Sequence, residues 1–177
     1  MAVSELNIRP AKEADRDAIW KIFHEVIAPG DTYVFAPETS REDALAYWFQ
    51  PGNHIYVAED RSASAGRRRD EHVVATYILK ANRPDLGSHV ANASFMVAPA
   101  ARGQGAGRAM GEHCLAQARR IGFRAMQFNF VVSTNESAIR LWKQLGFEIV
   151  GTLPGAFRHP KKGFVDVYVM FRSLIDD

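Results

Sequence analysis

Along the chain, apolar positions switch repeatedly between a spacing of two and a spacing near 3.6, and each switch marks a predicted element. Ser4 to Arg9 alternates, with Leu6 and Ile8 on one face, and predicts a first strand ending before Pro10. Asp15 to Ile27 carries Ile19, Ile22, Phe23 and Val26 at helical spacing, with Pro29 and Gly30 as the stop. A loop from Asp31 to Pro37 follows and holds Tyr33 and Phe35. Thr39 and Glu42 form a capping-box pattern for a second helix through Trp48, stopped by Pro51 and Gly52. Strands are predicted over Ile55 to Ala58, Val73 to Lys80, His89 to Val97 and Arg124 to Val132. Helices are predicted over Gln104 to Ile121 and Asn135 to Leu145, and last come strands over Glu148 to Thr152 and Val165 to Arg172. Helices alternating with strands, and strands meandering in the middle, predict an α/β sheet covered by helices on both faces.

Composition narrows this picture only a little. A chain of 177 residues, 47% of them hydrophobic, suits one domain spanning residues 1–177 with a real core. The formal net charge of +2 asks for no nucleic-acid partner. The one basic cluster, Arg67 to Arg69, lies in a Ser/Ala/Gly-rich stretch flanked by acidic residues and reads as a solvated hairpin tip. No apolar run approaches the ~20 residues of a membrane span, and Met1 to Arg9 lacks a signal-peptide core, so the expected location is cytoplasmic. Cys114 is the only cysteine. Its neighbour His113 invites a nucleophile pair, but Met110, Cys114 and Ala118 share one helix face, which favours a buried cysteine. No metal site is indicated.

The densest chemical signal is the stretch Val97 to Arg108, where an apolar strand runs through a glycine-rich turn into a helix. The first four N–H groups of a helix lack internal partners and sit at the positive end of its dipole, so the turn is suited to an oxyanion. Gly103, Gly105 and Gly107 allow close backbone approach, while Arg102 and Arg108 bring fixed positive charge to both ends. Spacing separates the candidate readings. A dinucleotide fingerprint fails because the sixth position from Gly103 is Arg108, and a P-loop fails because no Gly-Lys-Ser or Gly-Lys-Thr occurs. The acyl-CoA signature [QR]-x-x-G-x-[GA] fits Arg102, Gly105 and Gly107. A glycine-rich helix start without a ligand is the plain structural alternative.

A second apolar run, Met126 to Val132, ends at Ser133-Thr134-Asn135 and leads into a helix with Ala138, Leu141, Trp142 and Leu145 before Gly146-Phe147. Asn135 as N-cap and Gly146 as C′ stop would explain both residues locally. The paired segments, over roughly residues 5 to 172, resemble the GNAT superfamily of N-acetyltransferases. The pattern N-x-x-A-x-x-L-Y-x-x-x-G-F is kept except that Trp142 stands where the family has tyrosine. The resemblance implies a mixed, mostly antiparallel sheet whose central parallel strand pair splays apart to admit acetyl-CoA. It implies that Phe95, Met96 and Val97 offer backbone groups to the pantetheine arm. Arg102, Gly103, Gln104, Gly105, Ala106, Gly107 and Arg108 would cradle the pyrophosphate. Asn135 and Trp142 would also contact the cofactor, and a homodimer would be in keeping with the family.

N-acetylation needs a neutral amine, a donor for the developing oxyanion and a proton for the departing thiolate. By the resemblance, the backbone N–H of Val97 is the oxyanion donor and Asn135 sits near the reacting thioester. Indole has no useful acidity, so Trp142 leaves the acid's place unfilled, although a thiol of pKa about 8.5 leaves readily near neutrality. Glu38, His89 and His24 are the candidate bases. Asn92 and Asn129 fall in predicted neighbouring strands, where asparagine is disfavoured, and either satisfy a bulge or backbone group or bind a polar ligand between them. With Asn135, Phe128 to Phe130 and Arg140 to Trp142, they resemble the branch that acetylates azetidine-2-carboxylate and related cyclic amino acids. That branch implies a small-molecule amine acceptor held by Asn92, Asn129, Tyr33 and Phe35. A silent acyl-CoA-binding sensor and a protein N-terminal or lysine acetyltransferase are the competing functions.

Overall fold

The computed structural model describes residues 6–61 and 72–175, so the arginine cluster at 67–69 lies outside the described residues. Among the described residues seven strands form one sheet in the order β1-β2-β3-β4-β5-β7-β6. The strands are β1 (Leu6–Pro10), β2 (His54–Asp60), β3 (Val73–Ala81), β4 (Val90–Val97), β5 (Ala125–Val132), β6 (Glu148–His159) and β7 (Gly163–Ser173). The helices are α1 (Arg16–Ile27), α2 (Arg41–Trp48), α3 (Ala106–Ile121) and α4 (Glu136–Gln144). Every neighbouring pair is antiparallel except β4 and β5. None of these helices is long and apolar enough to cross a membrane.

Strand alternation divides the core between two faces. Tyr77, Leu79, Ala91, Ala93, Met126 and Phe128 pack against α3 and α4. Val57, Ile78 and Met96 point the other way, into α1 and α2. Cys114 is fully buried in the first of these layers, and burial pushes its thiol up, away from the thiolate that nucleophilic chemistry needs. A buried polar chain is satisfied in the second layer: Trp48 Nε1 donates to Thr76 Oγ1 at 3.1 Å, and Thr76 donates to the Tyr56 carbonyl at 2.9 Å.

Three local expectations need correction. Ser40, not Thr39, caps α2, accepting from Asp43 N–H at 3.0 Å, while Thr39 donates to the Ala36 carbonyl. The third helix begins at Ala106 rather than Gln104, because Gly103 and Gly105 take φ of 74° and 88°, outside helical geometry. Strand β6 continues past Thr152 to His159. Pro154 and Gly155 fall within a register irregularity between Leu153 and Phe157, in an edge strand that tolerates proline.

Candidate active site

The site is built on the parallel pair. Strands β4 and β5 are paired only at Val90 with Ala125 and Ala91 with Met126. Beyond Ala91 they separate. Ala98 N–H donates to the Val74 carbonyl, so by alternation the even residues of β4 turn their backbone groups to β3. Phe95 and Val97 therefore direct N–H and C=O into the open gap, the position a pantetheine arm or an added strand would need. Met96 does not: its backbone faces β3 and its side chain is buried against α1 and α2.

Below this gap lies the glycine turn. Among the described residues no acceptor takes the backbone N–H groups of residues 103–108, and the first α3 amide to find a carbonyl is that of Ala109, bonded to Gly105. A Cβ at Gly103 or Gly105 would meet nothing within 4 Å. Their positive φ, rather than crowding, is what calls for glycine there. Gly107 differs, since a Cβ there would lie 3.3 Å from Leu141 of α4, making it a packing position as well. Arg108 spans to α4 through Gln144 Oε1 at 2.6 Å, and Gln104 Nε2 donates to the Ala100 carbonyl. These unpaired amides beside Arg102 fit a phosphate-bearing cofactor.

Above the gap, the loop from α1 to α2 forms a roof. Tyr33 donates to the Phe95 carbonyl at 2.6 Å, and burial pushes its phenol above the ordinary range. Phe35 packs 5.0 Å from Phe23 and 4.9 Å from Tyr47. The cleft beneath, about 250 Å³, is lined by Tyr33, Phe35, Asn92, Asn129, Asn135 and Trp142 among others. Sequence reading singled out those six, and the fold brings them to one cavity. Trp142 is buried there, 4.8 Å from both Phe95 and Phe128.

The asparagines form a connected amide system. Asn92 Nδ2 donates to the Gln127 carbonyl at 2.9 Å, just where the parallel ladder stops. Gln127 Nε2 donates to Asn129 Oδ1 at 2.8 Å, and Asn129 Nδ2 donates to Asn82 Oδ1 at 2.6 Å. Asn129 sits in a β-bulge, between Phe128 and Val131, which re-aims the side chain. A primary amide carries two N–H bonds, so Asn92 and Asn129 each keep one for a ligand. Asn135 is the α4 N-cap: its Oδ1 accepts from Ala138 N–H and Ser137 Oγ, leaving its amide hydrogens free.

Among the described residues, the cavity lining contains no Asp, Glu, His, Lys or Arg. Charge gathers instead in an adjoining outer pocket lined by Asp31, Thr32, Arg102, Glu136, His159 and Lys162, with Asn135. Glu38, His89 and His24 line neither space. His159 Nδ1 accepts from the backbone N–H of Lys161 and Lys162, which fixes a neutral ring's proton on Nε2 and makes it a donor. Asp31 and Glu136 are carboxylates that line this outer pocket and not the inner cavity. Sequence reading missed these two, together with Thr32, Tyr47, Asn82 and Gln127. Gln127 could have been found, as it shares a strand face with Asn129; the Asn82 contact, 47 residues away, carries no local signal.

Free backbone amides at the glycine turn, an unpaired strand edge and an uncharged cavity fit an enzyme that transfers an acyl group from a coenzyme A thioester. Residues 20–147 match the model of the acetyltransferase (GNAT) family, and the chain belongs to that family. It is 32% identical over 161 residues to the N-acetyltransferase aca1 of Schizosaccharomyces pombe, covering 85% of this chain and 77% of the relative. Among solved structures it resembles a GCN5-related N-acetyltransferase from Kribbella flavida, with 43% identity, a TM-score of 0.86, and coverage of 95% and 97%. A phosphinothricin acetyltransferase from Sinorhizobium meliloti, solved in complex with AcCoA, shares the fold at 24% identity and a TM-score of 0.78, with coverage of 95% and 88%. The protein is an acetyl-CoA-dependent N-acetyltransferase.

Proposed function

We propose that the acceptor is the amine of a small amino acid, of the proline or azetidine-2-carboxylate kind, and that Asn92 and Asn129 hold its carboxylate. The observation that carries this reading is the pair of spare amide N–H groups on a cavity of about 250 Å³ whose lining holds no charged side chain. That volume is below the usual ~300 to 1,000 Å³ of ligand pockets, which suits a small acceptor. The absence of Arg and Lys from the lining weighs against a doubly anionic one.

Bound acetyl-CoA supplies the activated acetyl group. Residues 103–108 offer their backbone N–H groups, with Arg102 and Arg108, to its phosphates, and Phe95 and Val97 offer strand backbone to its arm. Val97 N–H is positioned in the gap as the oxyanion donor. Tyr33 and Phe35 exclude water over the acceptor.

The test is Asn129→Ala. Losing one hydrogen bond to a charged group should lower kcat/KM roughly tenfold to a hundredfold for an amino acid, and much less for an amine lacking the carboxylate. Equal losses with both would return Asn129 to a structural role.

A further inference from the structure

The acceptor chemistry leaves one charge unbalanced. An amine attacks a thioester in its neutral form, so a bound amino acid carries the whole negative charge of its carboxylate. Asn92 and Asn129 offer that carboxylate only neutral N–H groups, and among the described residues the cavity lining supplies no cation. Burying an anion without a counter-charge is costly, which calls for a cation beside the two asparagines.

Strand pairing identifies it. Lys80 is the cross-strand partner of Asn92 in the β3–β4 ladder. Ile78 and Met96 both face α1 and α2, and alternation puts Lys80, Asn82 and Asn92 on that same face. Facing residues of neighbouring strands have Cβ atoms roughly 4.5 to 5.5 Å apart, so Lys80 emerges beside the Asn92 side chain. Two residues on, Asn82 accepts from the Asn129 amide at 2.6 Å. The Lys80 ammonium itself stands 5.2 Å over the ring of Tyr47, which lines the cavity.

That ammonium is uncommitted. Among the described residues Lys80 has no ion pair and no side-chain hydrogen bond, and its contact with the Tyr47 ring is a weaker hold than a carboxylate would be. Arg102 and Lys162, in contrast, share the outer pocket with Asp31 and Glu136. Lys80 is only half-buried, and its flexible four-carbon stem carries the ammonium from the Tyr47 ring toward Asn92 by rotamer change, with no backbone movement.

Resting on the amino-acid acceptor proposed above, we infer that Lys80 is the counter-ion of the acceptor carboxylate. Asn92 and Asn129 orient that group by hydrogen bonds, and Lys80 neutralises it. Lys80 is thus a specificity-determining residue, selecting acceptors that bear an acid group.

Charge is read separately from hydrogen bonding by comparing azetidine-2-carboxylate with azetidine-2-carboxamide, which keeps a carbonyl for the asparagines but carries no negative charge. The ratio of kcat/KM, acid over amide, should fall about tenfold to a hundredfold in Lys80→Met, through KM rather than kcat. In Lys80→Arg, which keeps the charge, the ratio should stay within about threefold of wild type. An unchanged ratio in Lys80→Met, a loss shared equally by acid and amide, or an equal fall of the ratio in Lys80→Arg would each overturn the assignment. A wild-type enzyme that releases thiol with neither compound, or no faster with the acid than with the amide, would instead overturn the acceptor reading beneath it.

Discussion

The Tyr33 hydroxyl donates to the Phe95 carbonyl at 2.6 Å, tying the α1–α2 loop to a strand edge that β5 has left unpaired. Tyr33→Phe keeps the ring that roofs the cavity and removes only that tie. Loss of about 1 kcal/mol should lower the thermal midpoint by about 2 to 4 °C, with acceptor kcat/KM falling about fivefold as the roof loosens. Scanning calorimetry and steady-state kinetics check both; no change in either would mean that the bond is idle.

Gly105 and Gly122 form a matched pair, with φ of 88° and 101° and no atom within 4 Å of an added Cβ. They flank the two ends of α3. Alanine at either costs about 1 to 2 kcal/mol of backbone strain. Gly105→Ala should also weaken acetyl-CoA binding at least tenfold, whereas Gly122→Ala should leave it unchanged. Equal affinities in the two variants would remove the turn from the cofactor site.

Trp142 occupies the family's tyrosine position but packs as an apolar plate against Phe95 and Phe128. Trp142→Phe should cost about 1 to 2 kcal/mol of stability and lower kcat by less than the ~10²-fold expected when a general acid is removed. A thousandfold loss of kcat in a folded variant would give the indole a direct part in the chemistry.

His113 sets a pH limit on stability. Tyr77 hydroxyl and His113 Nδ1 lie 2.7 Å apart, and burial, then Arg120, lowers the imidazole pKa below 6.5. Between the folded and unfolded values the unfolded chain binds more protons. The contribution is therefore complete above about pH 6.5 and is lost as pH falls through the folded value. His113→Gln should flatten the decline of the thermal midpoint just below pH 6.5; an unaltered slope there would exclude His113 as its source.

Much of this arrangement was legible because it is local. The amphipathic spacing of Ile19, Ile22, Phe23 and Val26 needs nothing beyond its own helix, and the glycines of the turn declare a backbone requirement directly. Asn92 and Asn129 stood out as amides in strand interiors. Their partners did not, since the Asn129 bond to Asn82 and the Tyr33 bond to Phe95 span 47 and 62 residues and depend on how β4 and β5 part. The Met96 expectation went astray because alternation also governs which way backbone groups face, and that phase is set only by pairing with β3.

The most direct measurement is release of free thiol from acetyl-CoA by the wild-type protein across a panel of free amino acids, proline and azetidine-2-carboxylate included, with unstructured peptides bearing free N-termini and lysines alongside. A small acceptor in the cavity beneath Tyr33 and Phe35 predicts turnover with amino acids, highest among the small cyclic ones, and little with peptides. Turnover confined to peptides, or no thiol release with any amino acid despite bound acetyl-CoA, would contradict it.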